Sequence, residues 1–203
     1  MIFIMKSNDQ LVKIYIFINS FNLLIKKKIQ RIKNSEIIYE NKDFSRIDFL
    51  KIVKFCKINK IKLYILDDIK IALKYKLSGL VVSSYNKTIF KINSIQNKHK
   101  NIKIFGKAHN QLEFYQKINQ RCELIFLSPI FFSRKYSNNK TLGIPKFNLM
   151  SLNWNVKLVA LGGINFFNYR KIMMTKSSGI GIKSLINNFK KKTRLHFCKR
   201  VFR

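Results

Sequence analysis

Short runs of β-branched or aromatic residues recur along the 203-residue chain, each followed by a longer stretch in which apolar positions return at helical spacing. The runs predict strands at Ile14–Ile18, Glu36–Tyr39, Lys62–Leu66, Gly79–Val82, Lys103–Gly106, Leu124–Leu127, Lys157–Leu161 and Ser178–Ile182. Between them the pattern predicts helices at Phe21–Ile32, Ser45–Asn59, Asp68–Leu77, Ile89–Gln96, Gln111–Asn119, Lys146–Asn153, Phe166–Met173 and Ser184–Lys190. In the second helix Ile47, Leu50, Ile52, Val53 and Phe55 are expected to share the buried face, with Ser45 capping the amino end. Eight βα units in so short a chain predict an α/β fold, a single (β/α)₈ TIM barrel, because right-handed crossovers that bury both faces of a parallel sheet close into that form. A doubly wound open sheet is the alternative, and the near-equal units argue against it. The segment Ser128–Pro145 is long for a βα loop, and its Ser, Asn and Lys content predicts a solvated, mobile loop that carries function.

Composition adds one domain to this picture. An apolar fraction of 47% with 13% aromatic residues supplies a core. The expected boundaries are an amino-terminal extension over 1–12, the barrel over 13–189 and a basic tail over 190–203. The net charge of +32, from 41 Lys+Arg against 9 Asp+Glu, admits two readings: a polyanion binder, or a background in which A/T-rich codons supply Lys with Ile, Asn and Phe. The basic residues form no single stripe or nucleic-acid reading motif, which favours background and predicts that any nucleic-acid association is non-specific and lost as salt rises. Cys56, Cys122 and Cys198 form no C-x-x-C pair, so neither a disulfide framework nor a zinc knuckle is expected. Met1 to Lys6 lacks the form of a secretory signal, and the most apolar stretch, Ile14 to Ile25, carries Asn19, Ser20 and Asn22. A cytoplasmic protein with no membrane partner is the expectation.

The chemistry-bearing residues cluster late in the chain. Gly162-Gly163 follows an apolar strand and precedes a helix, so backbone N–H groups there can meet an anion with no Cβ in the way. Ile180-Gly181-Ile182-Lys183-Ser184 ends the last strand with an ammonium and a hydroxyl. In a closed barrel those two ends adjoin, at the usual phosphate site of the fold. The same two glycines are also what tight strand-to-helix packing would require, and residue type alone leaves both readings open.

Taken together, Leu127-Ser128-Pro129-Ile130-Phe131, Leu142-Gly143, Ala160-Leu161-Gly162-Gly163-Ile164-Asn165 and Ser178-Gly179-Ile180-Gly181-Ile182-Lys183-Ser184 resemble the thiamine phosphate synthase family and its thiazole tautomerase relatives, in order and in spacing. The resemblance extends upstream through Asp67-Asp68-Ile69 and Gly106-Lys107-Ala108-His109-Asn110. It implies a transferase that joins a hydroxymethylpyrimidine diphosphate to a thiazole phosphate and releases pyrophosphate, with small phosphorylated heterocycles as its partners. It places Gly163 and Ser184, with Gly162 and Lys183 beside them, on the thiazole phosphate. It places Lys42, Lys107, Ser133 and Lys135 in the catalytic set, and Asp67 and Asn86 on a magnesium ion (Mg²⁺). The match is altered at several points. Ile38 and Glu40 stand where the family has Gln and Arg, Asn86 replaces a carboxylate, and Pro129 stands at the tautomerase histidine. His109, next to a strand end, is expected to serve a loop or helix cap. Three functions follow: a divergent thiamine phosphate synthase, an altered relative that binds a phosphorylated heterocycle, and a basic polyanion-binding protein.

Overall fold

Alternate residues of each predicted strand point to one side, and the computed structural model shows where they go. It describes residues 6–7, 10–11, 13–40, 46–133, 141–152, 154–165 and 167–183. Strands β1 (Lys13–Ile18), β2 (Ser35–Tyr39), β3 (Leu63–Leu66), β4 (Gly79–Val82), β5 (Lys103–Ala108), β6 (Leu124–Leu127), β7 (Lys157–Leu161) and β8 (Gly179–Ile182) are all parallel and close in the order β8-β1-β2-β3-β4-β5-β6-β7. The seam between β8 and β1 pairs Gly179 with Lys13 and Ile182 with Ile16. The predicted barrel is therefore the observed one. A short antiparallel hairpin, Lys6–Ser7 with Gln10–Leu11, precedes it.

The inward set Tyr15, Phe17, Ile38, Tyr64, Val81, Phe105, Leu124, Phe126, Val159 and Leu161 fills the barrel. Its rings meet edge to face or stacked, with Tyr15–Phe126 centroids 5.1 Å apart and Tyr64–Phe105 centroids 4.6 Å apart. Outward residues such as Ile16, Ile37, Leu80 and Ile125 pack under the helices. Those helices are α1 (Leu23–Ile29), α2 (Arg46–Ile58), α3 (Ile69–Lys74), α4 (Ile89–Lys98), α5 (Gln111–Asn119) and α6 (Gly143–Ser151). Asn22, Asp68 and Asn110 cap α1, α3 and α5 by accepting backbone N–H bonds at 2.9 Å, which fixes three helix starts on one face of the barrel.

Three expectations about helices need correction. In α2 the buried residues are Phe49, Ile52, Val53, Phe55 and Cys56. Ile47 and Leu50 are 69% and 43% exposed, because they belong to the stripe that carries Lys51 and Lys54 rather than to the 49–52–53–56 stripe. The seventh helix is a 3₁₀ helix, Tyr169–Met174. It starts late because Asn165 Oδ1 accepts from the N–H groups of Phe167 and Asn168, and Asn168 Oδ1 accepts from that of Asn165, which makes a side-chain turn where helix was expected. Helix α6 begins at Gly143, three residues before the expected Lys146, with Pro145 in its first turn. Ser45 and the expected eighth helix, Ser184–Lys190, lie outside the described residues.

The fold also buries a charge that sequence reading does not anticipate. Lys117 of α5 and Gln120 are fully buried. The Lys117 ammonium donates to the Asn86 carbonyl at 2.7 Å and to Gln120 Oε1 at 2.9 Å, and Gln120 Nε2 donates to the same carbonyl at 2.9 Å. A Cβ on Gly106 of β5 would meet Lys117 Cγ at 2.8 Å, so the bare strand position lets the lysine stem pass. Burial pushes the Lys117 ammonium down from the ordinary lysine value of 10.5. The unfolded chain then binds more protons than the folded one between the lowered value and 10.5, so stability rises with pH across that window. The unfolding free energy of wild type minus that of Lys117→Met is expected to increase as pH is raised through the window. Urea unfolding at a series of alkaline pH values measures it, and a flat difference would contradict the buried charge.

Candidate active site

The alternation that sends Glu36 and Ile38 of β2 inward sends Glu40, the residue just past that strand, into the layer that closes the carboxyl ends. Its backbone N–H extends the ladder by donating to Ile18 O at 2.9 Å. The Glu40 side chain is 3% exposed and holds a lysine on each oxygen. Lys107 of β5 donates to Oε1 at 2.6 Å, and Lys183, just past β8, donates to Oε2. Burial alone would raise the Glu40 carboxyl, but the charges and hydrogen bonds of Lys107 and Lys183 outweigh it and hold the group below the usual carboxylate range. The Lys107 ammonium also lies 5.4 Å from the centre of the Phe17 ring, at the top of the packed interior.

A second cluster follows β3. Asp67 adopts a left-handed backbone, φ +54°, and donates its N–H to Val81 O at 2.9 Å. Its Oδ1 accepts from Ser83 N at 3.0 Å and from Asn86 Nδ2 at 3.2 Å. Asp67 Oδ2 and the Ser83 hydroxyl are buried with no hydrogen-bond partner. Asn86 Oδ1 accepts from the Thr88 N–H at 3.1 Å and from its hydroxyl at 2.7 Å.

A third group follows β7. Gly162 and Gly163 have φ of +86° and +71°, a region that favours glycine. The chain after β6 lies directly on them: Ile130 donates to Leu161 O at 2.9 Å and Phe131 to Gly162 O at 3.2 Å. A Cβ on Gly163 would stand 2.0 Å from the Phe131 carbonyl oxygen.

The thiamine monophosphate synthase family model matches residues 27–186. The chain belongs to that family. Its curated relatives include a thiamine-phosphate synthase of Pelagibacter ubique, 25% identical over 143 residues that make up 70% of this chain and 67% of the relative. A thiamine-phosphate synthase of Prochlorococcus marinus is 37% identical over 86 residues, 42% of this chain but only 24% of the relative's length. Among solved structures, the thiamine phosphate pyrophosphorylase of Pyrococcus furiosus superposes with a TM-score of 0.75 at 14% identity, covering 94% of each chain. That of Bacteroides thetaiotaomicron gives 0.58 at 13% identity, covering 92% of this chain and 90% of its own. At such identities the structural likeness speaks for the barrel alone.

Set against the thiamine monophosphate synthase pattern, the described site keeps some expected residues together. Lys107 lies near the carboxyl end of β5, and Asp67, Gly163 and Lys183 lie just past the carboxyl ends of β3, β7 and β8, whereas Ser133 lies farther along the chain after β6. Lys42, Lys135 and Ser184 lie outside the described residues, as does Arg134. Lys183, expected beside the thiazole phosphate, reaches across to Glu40 instead. The expected magnesium pair fits poorly. Asn86 spends its oxygen on Thr88 and turns its NH₂ to Asp67, which leaves Asp67 Oδ2 as the one unengaged oxygen of the pair. No group of three or more His, Cys, Asp or Glu side chains is placed to hold a metal among the described residues. His109 sits at the start of α5, where its N–H donates to Glu113 Oε2 at 2.7 Å.

The loop expected to be solvated and mobile begins instead as packed structure: Ser128 and Ile130 are buried, and the chain is clamped between β7 and Leu142-Gly143. This docking supplies the steric reason for both glycines, since a Cβ on Gly162 would also meet Pro129 Cα at 2.9 Å. Among the described residues no helix is long and apolar enough to cross a membrane. A groove of about 540 Å³ between α1 and α2, lined by Phe21, Lys26, Phe55 and Ile58, contains none of these site residues. Sequence reading counted Glu40 as a lost substrate contact and missed its role between two lysines. Strand parity was the available signal, because 36, 38 and 40 face one way, as do 105 with 107 and 181 with 183.

Gly163→Ala is expected to lower the unfolding free energy by about 2–4 kcal/mol, from the left-handed backbone and the collision with Phe131 together. Ser83→Ala is expected to fall within about 0.5 kcal/mol of wild type or above it, because the buried hydroxyl has no partner to lose. Urea unfolding of both variants is the check. A neutral Gly163→Ala would contradict the packing of the loop on β7.

Proposed function

We propose that the protein synthesises thiamine phosphate. A bond forms between the thiazole ring nitrogen and the methylene carbon of the hydroxymethylpyrimidine diphosphate, the bond from that carbon to the diphosphate oxygen breaks, and pyrophosphate leaves with the electron pair. The observation that carries the reading is the meeting of Lys107 and Lys183 at the barrel mouth, above a filled apolar interior and within a chain that the family pattern spans. Loss of pyrophosphate builds negative charge on the departing oxygens, and ammonium groups fixed in a partly buried site lower the cost of that charge. In this reading Lys107 and Lys183 take the diphosphate. The turn after β7, with Ser184, takes the thiazole phosphate. The aromatic floor under the mouth, with Phe17 at its top, excludes water from the cationic pyrimidine. No step is assigned to magnesium, because the Asp67–Asn86 pair offers it so few oxygens.

A second reading, a relative that binds a phosphorylated heterocycle without turnover, is favoured by one observation: Glu40 already occupies both lysines. The two readings separate in one assay. Purified protein is incubated with hydroxymethylpyrimidine diphosphate and thiazole phosphate, with magnesium and with a chelator, and pyrophosphate release is followed. Synthesis predicts release, with Lys107→Met slower by about 10²-fold. Saturable binding of both substrates with no release would select the second reading.

A further inference from the structure

We propose that Glu40 is a built-in occupant of the anion site at the barrel mouth: its carboxylate stands where a diphosphate group of the ligand binds, and the ligand must displace it. The inference deepens the reading of the mouth as a diphosphate site and rests on it. Its footing is the way the carboxylate is held. Each oxygen takes one ammonium, Oε1 from Lys107 and Oε2 from Lys183, which is how an external anion bridging two lysines would be held. The lysines come from β5 and β8, and the carboxylate from β2, so the bridge spans the mouth instead of lying along one wall.

Exposure differs sharply across the bridge. Glu40 is 3% exposed, Lys107 16% and Lys183 43%, so an incoming anion meets the Lys183 ammonium first and the carboxylate last. Lys107 has a second hold, the face of Phe17 at 5.4 Å, and so stays near its position when the carboxylate leaves.

The empty site needs such an occupant. Two ammonium groups brought together at a partly buried mouth repel and lose hydration, and a carboxylate between them removes that cost. The same carboxylate sets a threshold for ligands. A singly charged anion exchanges one carboxylate for an equivalent group and gains little. A diphosphate brings more charge and more acceptor oxygens than it displaces. Glu40 thus selects for highly charged ligands by opposing all of them, a repulsive element that sharpens specificity.

The test is calorimetric titration of inorganic pyrophosphate and of inorganic phosphate into the full chain, as wild type, Glu40→Gln, and Glu40→Gln with Lys107→Met, alongside thermal melts with and without pyrophosphate. Displacement predicts that Glu40→Gln tightens pyrophosphate binding at least tenfold and narrows the preference for pyrophosphate over phosphate. It also predicts that adding Lys107→Met cancels the gain. If Glu40 instead positions the lysines for the ligand, Glu40→Gln leaves pyrophosphate binding unchanged or weaker, and the proposal fails. Should Glu40→Gln prove unfolded alone, refolding by pyrophosphate in the melt supports the proposal and absence of refolding overturns it. Tightening in Glu40→Gln without turnover by wild type keeps the displacement and removes the synthase reading. Turnover by wild type without tightening does the reverse.

Discussion

Closing eight strands around Tyr15, Phe17, Tyr64, Phe105 and Phe126 leaves little room for a charged group at mid-barrel, so charge collects at the two ends. Strand β2 shows the consequence most clearly. Its inward positions read Glu36, Ile38, Glu40, an apolar residue at the level of the rings with an acid on each side. At the amino end Glu36 pairs with Lys13 at 2.7 Å, with Lys62 at 3.8 Å. At the carboxyl end Glu40 pairs with Lys107 and Lys183. Each buried carboxylate is paid for by two ammonium groups, as charges drawn out of water require.

This arrangement changes the meaning of the chain's basicity. With 41 Lys+Arg and only 9 Asp+Glu, an acid is a scarce residue, and two of the nine are spent inside the barrel. Of the lysines they hold, Lys107 is the most buried, at 16% exposure, and is fixed by a hydrogen bond to Glu40 and by the Phe17 ring. Among the described residues most of the remaining positive charge is exposed, on helix faces such as the Lys51 and Lys54 stripe of α2 and in the turns between elements, where solvent and salt screen it. Local geometry, more than the net charge of +32, brings Lys107 and Lys183 together at the mouth. Lys117 adds to this from outside the barrel wall, since it fixes the Asn86 carbonyl and, through the Asn86 side chain, the orientation of Asp67.

The barrel was legible in the sequence because strand and helix periods differ and the chain repeats them eight times. Helix details were less so. Ile47 and Leu50 look like core residues by type, yet the phase of α2 is set by Phe49, Ile52, Val53 and Cys56. The seventh helix was shortened by Asn165 and Asn168, whose side chains compete for backbone groups in a way that apolar spacing does not register. At the site, the family motifs located Asp67, Lys107, Gly163 and Lys183 at strand ends. They did not reveal that Gly162 and Gly163 are needed by the loop packed on them, because that contact joins segments some thirty residues apart. Nor did they reveal Glu40, which position-by-position comparison marks as a loss and inward strand parity marks as a partner for Lys107 and Lys183.

The central claim is that one carboxylate organises the mouth of this barrel by standing between two lysines. Crystal structures of the full chain, grown without and with inorganic pyrophosphate, test it most directly. The account predicts Glu40 bridging Lys107 and Lys183 in the first, and in the second pyrophosphate between those two ammonium groups with the Glu40 carboxylate turned away. Pyrophosphate bound elsewhere on the carboxyl face, with the Glu40 bridge intact, would contradict it.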